Sequence, residues 1–181
     1  MRLYYNRKED LTEMILIVNT TADTSVTDDL KNSLAGRGAD FEIIEAGGLR
    51  ISPCIGCNHC WLKTPGECAV KDDFEGILKK IVHADQLWVI SDTALGFIDH
   101  KGKNVYDRML PILTMYLTFY KGQLRHVPRY QKLPDVGLIC LGSGEKAYLK
   151  RWNERAALNF KRKSLGVFER EELKEAVLCM C

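Results

Sequence analysis

The sequence predicts an α/β protein with a doubly wound, five-stranded parallel sheet and helices on both of its faces. Two observations favour this fold class. Short apolar runs rich in β-branched residues alternate with longer segments in which apolar residues recur every three or four positions, as in successive βαβ units. The apolar runs are also continuous, which is typical of parallel strands buried on both faces. In such folds ligands bind beyond the carboxyl ends of the strands.

Each element is placed from its local pattern. The run Met14–Asn19 reads MILIVN and predicts the first strand, and the helix after it has Leu30 and Leu34 on one face. Pro111 is expected to kink the helix predicted over Lys103–Tyr120. The predicted strands are Met14–Asn19, Asp40–Glu45, Gln86–Ser91, Val136–Leu141 and Ser164–Phe168. The predicted helices are Thr24–Arg37, Asp72–His83, Lys103–Tyr120, Glu145–Phe160 and Arg170–Met180.

Length and composition predict one ordinary globular domain. The 181 residues, 46% of them apolar and 28% charged, suffice for a single core, which we place at residues 14–181 after an N-terminal arm, residues 1–13. The net charge of +2 does not call for nucleic acid as a partner. The sequence has no apolar run long enough to cross a membrane and does not open as a secretory signal does. A cytoplasmic location is therefore expected.

The most specific pattern in the sequence is a cysteine loop, residues 51–71. Cys54, Cys57 and Cys60 follow a C-x2-C-x2-C spacing, and Cys68 comes eight positions after Cys60. Two-residue spacers allow successive thiolates to curl around one centre, and a cubane cluster needs four such ligands. The pattern favours a [4Fe–4S] cluster. Zinc remains an alternative, although structural zinc sites usually take two separated ligand pairs. Free or redox-active thiols without a metal are the other alternative.

The segment Ile51–Ile81, in which PCIGCNHCW is followed by GEC and KDDF, resembles the cluster motif of the iron–sulfur flavoproteins. These are relatives of the NADPH-dependent FMN reductases and have a flavodoxin-like fold. The order of strands and helices extends the resemblance to residues 14–168. It implies FMN at the strand ends, a [4Fe–4S] cluster in many members, and a homo-oligomer, either dimer or tetramer. Electrons would come from NAD(P)H or a ferredoxin-like donor.

The resemblance also implies flavin contacts in three loops, although each matches the family pattern only in part. After the first strand, hydroxyls in NTTADTSVT would meet the FMN phosphate, or else only cap the helix, and Asp23 adds a negative charge there. After the third strand, SDTALG would meet the flavin ring, and after the fourth, a glycine-rich turn would admit it. The implied residues are Thr20, Thr21, Ser25, Thr27, Ser91, Thr93, Ala94, Leu95, Gly96, Gly142 and Ser143.

A basic and aromatic stretch, residues 116–132, has two interpretations. It is either a lid over the flavin or a subunit contact, or else a solvated loop with its aromatic side chains in the core. In the first interpretation Arg125, His126, Arg129 or Tyr130 would face the cofactor or a nicotinamide phosphate.

These patterns lead to one functional prediction and two alternatives. The prediction is an FMN-binding, electron-transfer oxidoreductase that moves electrons from NAD(P)H or a ferredoxin-like donor to an acceptor. No side chain need act as acid or base, because the cofactors carry the chemistry. One alternative is an FMN-dependent NAD(P)H:quinone or flavin reductase without a cluster. The other is a non-enzymatic metal or thiol module that has lost its flavin.

Overall fold

The computed structural model describes residues 13–181, so the predicted arm, residues 1–13, lies outside the described residues except for Glu13. Short 3-10 helices occupy Leu110–Ile112 and Arg170–Glu172. Within residues 13–181 no helix has the length and apolar character needed to span a membrane. In chain order the elements are β1 (Met14–Asn19), α1 (Ser25–Ala35), β2 (Asp40–Glu45), α2 (His59–Leu62), α3 (Phe74–His83), β3 (Gln86–Ser91), β4 (Thr93–Ala94), β5 (Phe97–Ile98), α4 (His100–Asp107), β6 (Leu113–Tyr120), β7 (Gln123–Pro128), β8 (Asp135–Cys140), α5 (Lys146–Asn159), β9 (Ser164–Glu169) and α6 (Leu173–Met180).

The central sheet confirms the predicted flavodoxin-like fold class. Its five strands are all parallel and lie in the order β2-β1-β3-β8-β9. Every residue of β3 is buried, as is β1 after its first residue, because helices cover both faces of the sheet. The order reverses between β1 and β3, and the loops that follow these strands therefore meet at one edge of the sheet.

The side chains of β1 divide the core into two layers. Leu16 and Val18 pack with buried residues of α3, α4 and α5 on one face of the sheet. Ile15 and Ile17 point to the opposite face and pack with α1 and α6, because successive side chains of a strand alternate. Helices α1, α3, α5 and α6 are those that the periodicity predicts, to within a few residues at their ends.

The predicted helix Lys103–Tyr120 is wrong beyond its first turns. Helix α4 ends at Asp107, and the segment after Pro111 forms β6, which pairs with β7 in an antiparallel hairpin. Residues 113–120 (LTMYLTFY) are rich in aromatic and branched side chains, which favour strands. Lys121 and Gly122 form the turn with φ of 48° and 71°, the left-handed geometry of a two-residue hairpin turn.

Candidate functional site

The cysteine loop is fastened at both ends by one buried arginine. The Arg108 guanidinium donates to the carbonyl of Ser52 at 2.8 Å and to that of Val70 at 3.1 Å. It also donates to both oxygens of Asp72, at 2.8 and 3.0 Å, and both side chains are 1% exposed. Burial opposes the charge of Asp72, but hydrogen bonds from Arg108 and from the Ser52 N–H lower its pKa to about 2. The loop is thus held by a buried ion pair.

Between these ends the loop curls tightly. Gly56 and Asn58 have φ of 66° and 57°, and Gly66 has φ of 91°, so the chain reverses direction on both sides of α2, which carries Cys60. The indole N–H of Trp61 donates to the carbonyl of Leu110 at 3.1 Å. These turns direct the middle of the loop back towards the end of α4.

The base of the hairpin packs on this loop. The His126 ring lies 4.7 Å from the ring of Trp61, between centroids. Arg129 donates to the carbonyls of Pro111 and Cys60, at 3.1 and 3.4 Å. Two residues of the basic and aromatic stretch therefore contact the cysteine loop itself, while Tyr130 is 39% exposed.

All four cysteines of the loop line one small cavity of about 30 Å³. Cys57 is exposed, and Cys54, Cys60 and Cys68 are half-buried; all are free thiols. Burial raises the pKa of Cys60, and the neighbouring charges of Cys68, Cys54 and Cys57 raise it further. The four thiols are therefore close enough to act on one another electrostatically.

A buried, positively charged side chain, that of Arg108, lies beside these thiols. Burial opposes the charge of Arg108, yet Asp72 and the Cys68 thiol together raise its pKa. Arg108 lines the cysteine cavity, and its Nε is buried without a hydrogen-bond partner among the described residues. A cation with a spare donor suits a ligand set that becomes negative when its thiols ionise.

The loop cysteines supply the ligand type of a metal site as four free thiols. In the part of the chain that the structure describes, no group of three or more His, Cys, Asp or Glu side chains is arranged to hold a metal ion. Zinc draws all four sulfurs to about 2.3 Å from one point. A cubane binds each cysteine through a different iron, so its sulfurs stand farther apart around a shared space. Four thiols that line one cavity supply the ligand number that either site requires.

The first strand-end loop, which together with the start of α1 spans residues 20–27, has its hydroxyls bonded within the protein. The Thr20 hydroxyl donates to the carbonyl of Ile90 at 2.8 Å, and the Thr21 hydroxyl to Asn19 Oδ1 at 2.8 Å. The hydroxyl of Thr27, in the first turn of α1, donates to the carboxylate of Glu45 in β2 at 2.6 Å. Three of the four hydroxyls implied to hold a phosphate thus donate to oxygens of the protein, and all three side chains are buried.

The fourth hydroxyl, that of Ser25, donates to a carboxylate that lies just before α1. The Asp23 carboxylate accepts from the Ser25 N–H at 2.8 Å and from the Ser25 hydroxyl at 2.6 Å, and these bonds lower the pKa of Asp23. Asp23 thus occupies the helix N-terminus, where a phosphate would bind, and Glu45 adds a second carboxylate beside it. The first loop in this arrangement does not fit the FMN phosphate.

The other two strand-end loops are fastened to each other. The Thr93 hydroxyl donates to the carbonyl of Ser143 at 3.2 Å, and a Cβ added to Gly142 would lie 2.4 Å from Thr93 Oγ1. The buried Ser91 hydroxyl donates to the carbonyl of Asp92 at 2.8 Å. Ala94, Leu95 and Gly96 form the tip of the β4–β5 hairpin, where Leu95 is fully exposed. The structure thus brings the second and third loops together and leaves the first loop bonded to itself and to β2 and β3.

Two functional elements escape the sequence analysis. One is the anchoring of the cysteine loop by Asp72 and Arg108, which are 36 residues apart. The available signals in the sequence were an acidic residue just before one helix and an Asp-Arg pair at the end of another. The other is Glu45, the last residue of β2, which bonds the Thr27 hydroxyl across 18 residues. No local pattern indicates this second contact.

Comparison with known proteins gives two curated relatives. The chain is 36% identical over 81 residues to an iron–sulfur flavoprotein of Methanocaldococcus jannaschii, which is 45% of this chain and 41% of that protein. It is 37% identical over 71 residues to an iron–sulfur flavoprotein of Archaeoglobus fulgidus, which is 39% of this chain and 34% of that protein. The chain thus matches less than half the length of either relative. No model of a protein family matches the sequence.

Solved structures share the fold at low sequence identity. An NAD(P)H:quinone oxidoreductase from Methanothermobacter marburgensis superposes with a TM-score of 0.60 at 13% identity, over 94% of this chain and 96% of that one. The likeness extends over nearly the whole of both chains and shows the fold.

Proposed function

Because this chain is a relative of the iron–sulfur flavoproteins, we propose that it is an electron-transfer oxidoreductase whose loop cysteines hold a [4Fe–4S] cluster. The ligands are Cys54, Cys57, Cys60 and Cys68. The observation that carries the proposal is the convergence of these four thiols on one cavity backed by Arg108. A bound cluster would supply one-electron transfer.

The chain's own residues provide the setting for that chemistry. The four thiolates would hold the iron, and the Arg108 guanidinium would offset part of their charge from within the core. Trp61, Leu110 and Pro111 line the same cavity and would limit the access of water to a bound cluster. A fixed nearby cation would stabilise the more negative, reduced form of that cluster, whereas fewer water molecules would disfavour it.

FMN and NAD(P)H enter the proposal as redox partners. The relatives that are named iron–sulfur flavoproteins support a flavin, and the NAD(P)H:quinone oxidoreductase with the same fold supports a nicotinamide donor. A ferredoxin-like protein is the alternative donor. Since the first loop does not fit the FMN phosphate, no electron-transfer step is assigned to a flavin in that loop.

Metal and flavin analysis of anaerobically purified protein tests the proposal. We expect about four irons and four sulfides per chain. The Cys57→Ser variant should lose most of the iron, whereas the matched Cys179→Ser variant, which alters an exposed cysteine outside the loop, should keep it. Stoichiometric flavin without iron would instead favour a plain FMN-dependent reductase. One zinc per chain, or thiols without metal or flavin, would favour the non-enzymatic module.

A homo-oligomer is the final part of the proposal. The β6–β7 hairpin exposes apolar side chains, among them Tyr116 at 69%, Leu117 at 52% and Phe119 at 79%, and such a patch is typical of a contact surface. Light scattering should give a mass above that of one chain. Phe119→Ser should reduce this mass, while Leu178→Ser, which alters an exposed leucine of α6, should not. A wild-type monomer at all concentrations would contradict the proposal.

A further inference from the structure

A second cavity, which we call the basic cleft, lies between α4, the β6–β7 hairpin and α5. Its volume is about 520 Å³, within the range of sites that hold small molecules. Its polar lining includes Lys103, Arg125 and Arg155, and its apolar lining includes Tyr106, Trp152 and Phe160. Arg125 of the basic and aromatic stretch lines it, whereas none of the residues implied to bind flavin in the three strand-end loops does. The cleft is therefore a site separate from the strand-end loops.

The charges that line the basic cleft favour an anion. Its one carboxylate, Asp107, is already paired with Lys103 one helical turn away. Arg155 is exposed on α5 and forms no ion pair with any described residue. The Nε of Arg125 is buried and has no hydrogen-bond partner within residues 13–181. Two arginines thus present donors that no carboxylate of the described chain satisfies, and such donors bind carboxylates, sulfonates and phosphates well.

The apolar wall of the cleft is built from aromatic rings that pack against one another. Trp152 makes edge contacts with Tyr106 and Phe97, at centroid distances of 4.5 and 5.0 Å. The Tyr106 hydroxyl donates to Asn153 Oδ1 at 3.2 Å, and burial raises the Tyr106 pKa far above neutrality. The tyrosine therefore stays uncharged, and a planar apolar group could pack on this wall without reorganising it.

The basic cleft shares a wall with the cysteine cavity. Cys54, Gly56, Asp107 and Leu110 line both cavities. A molecule in the cleft would therefore lie beside the first cysteine of the loop, separated from the cysteine cavity by little more than the Cys54–Gly56 segment.

We propose that the basic cleft binds a small organic anion with a flat apolar body, with its charge on Arg125 and Arg155 and its body against Trp152. The proposal does not require metal in the cysteine loop, so it can fail or succeed independently of the cluster.

Two fluorescent probes with the same aromatic body test this directly. 8-Anilinonaphthalene-1-sulfonate carries a sulfonate, and N-phenyl-1-naphthylamine lacks it. We expect saturable binding of the sulfonate to the wild-type protein. The double variant Arg125→Gln with Arg155→Gln should bind the sulfonate about tenfold or more weakly, because it loses charge-assisted hydrogen bonds. Its affinity for the neutral probe should change less than about twofold. Arg151→Gln, on the same helix but outside the cleft, is the matched control.

Circular dichroism establishes that each variant is folded, and Arg155→Gln alone, at an exposed position, gives a second variant that does not touch the core. Added salt should weaken the binding of the sulfonate probe and leave the binding of the neutral probe unchanged. Absence of saturable sulfonate binding would overturn the proposal. So would equal losses for both probes, or an equal effect of Arg151→Gln.

Discussion

In the cysteine loop four thiols face a common cavity, whereas in the first strand-end loop the hydroxyls of Thr20, Thr21, Ser25 and Thr27 already donate to oxygens of the protein. Both regions match a family motif in sequence, one closely and one in part. The difference lies in the charge of nearby residues. Arg108 provides a cation beside the thiols, while Asp23 and Glu45 provide anions beside the hydroxyls. The same fold therefore retains one candidate cofactor site and fills the other with its own side chains.

The strongest way to break this contrast is to remove the cation that fastens the cysteine loop. Arg108→Met should lower the free energy of unfolding by about 3–5 kcal/mol, because it leaves the buried carboxylate of Asp72 without its cationic partner. Urea unfolding measures the loss. Lys79→Met is the control, since it removes only an exposed ion pair with Glu75 worth at most about 1 kcal/mol. Equal losses in the two variants would contradict the anchoring role.

A chemical comparison separates a strand-end thiol from exposed thiols. Burial raises the pKa of Cys140, at the end of β8, to about 12. At pH 8 its thiolate is therefore rarer than that of an unperturbed cysteine by about a thousandfold. Iodoacetamide labelling followed by peptide mass spectrometry should modify exposed Cys179 long before Cys140. The gap should narrow as the pH rises towards 12. Labelling of Cys140 at the rate of Cys179 in folded protein would refute this expectation.

A pair of glycines tests how tightly the first loop is packed. A Cβ added to Gly47 would lie 2.0 Å from the carbonyl oxygen of Thr21, whereas one added to Gly48 would meet nothing within 4 Å. Gly47→Ala should therefore cost about 1–3 kcal/mol of unfolding free energy through overpacking. Gly48→Ala should change it by no more than about 0.5 kcal/mol, as at most surface positions. If thermal unfolding shows the two variants to be alike, the loop is looser than its contacts indicate.

The smallest expected effect concerns the charge at α1. Asp23→Asn should strengthen FMN binding about fivefold, because one charge pair at 4 Å in water contributes about 1 kcal/mol. Riboflavin, which has no phosphate, should bind both proteins equally. The shift in Tm with added ligand measures both affinities. An FMN affinity of the wild-type protein that equals that of the variant would show that Asp23 does not exclude the phosphate.

Much of the fold could be predicted from the sequence because parallel strands leave a local trace. The run MILIV of β1, for example, is continuously apolar, since both faces of that strand are buried. The hairpin was missed because Pro111 was interpreted as a kink within one helix rather than as the helix end. The Lys121–Gly122 turn between aromatic residues was the signal that could have indicated two strands.

The candidate site was only partly predictable, and the reason is distance along the chain. The grouping of four cysteines follows from their spacing within fifteen residues. The hydrogen-bond partners of the first loop do not follow from spacing, because the Thr20 hydroxyl donates to the carbonyl of Ile90 and the Thr27 hydroxyl to the carboxylate of Glu45. Hydroxyls that suit a phosphate in sequence suit a neighbouring carbonyl or carboxylate equally well, and only the tertiary fold decides between them.

The attachment of both ends of the cysteine loop to Arg108 has a thermodynamic consequence. Small zinc domains gain their folding free energy from metal binding, since the chain alone cannot close the loop that carries the ligands. In this protein the guanidinium closes that loop through the carbonyls of Ser52 and Val70, and the entropy of closure is already offset by the packed core. A chelator should therefore remove a metal bound by the loop cysteines without unfolding the domain. Almost all of the free energy of metal binding would then contribute to the affinity for the metal, and little of it to the folding of the chain.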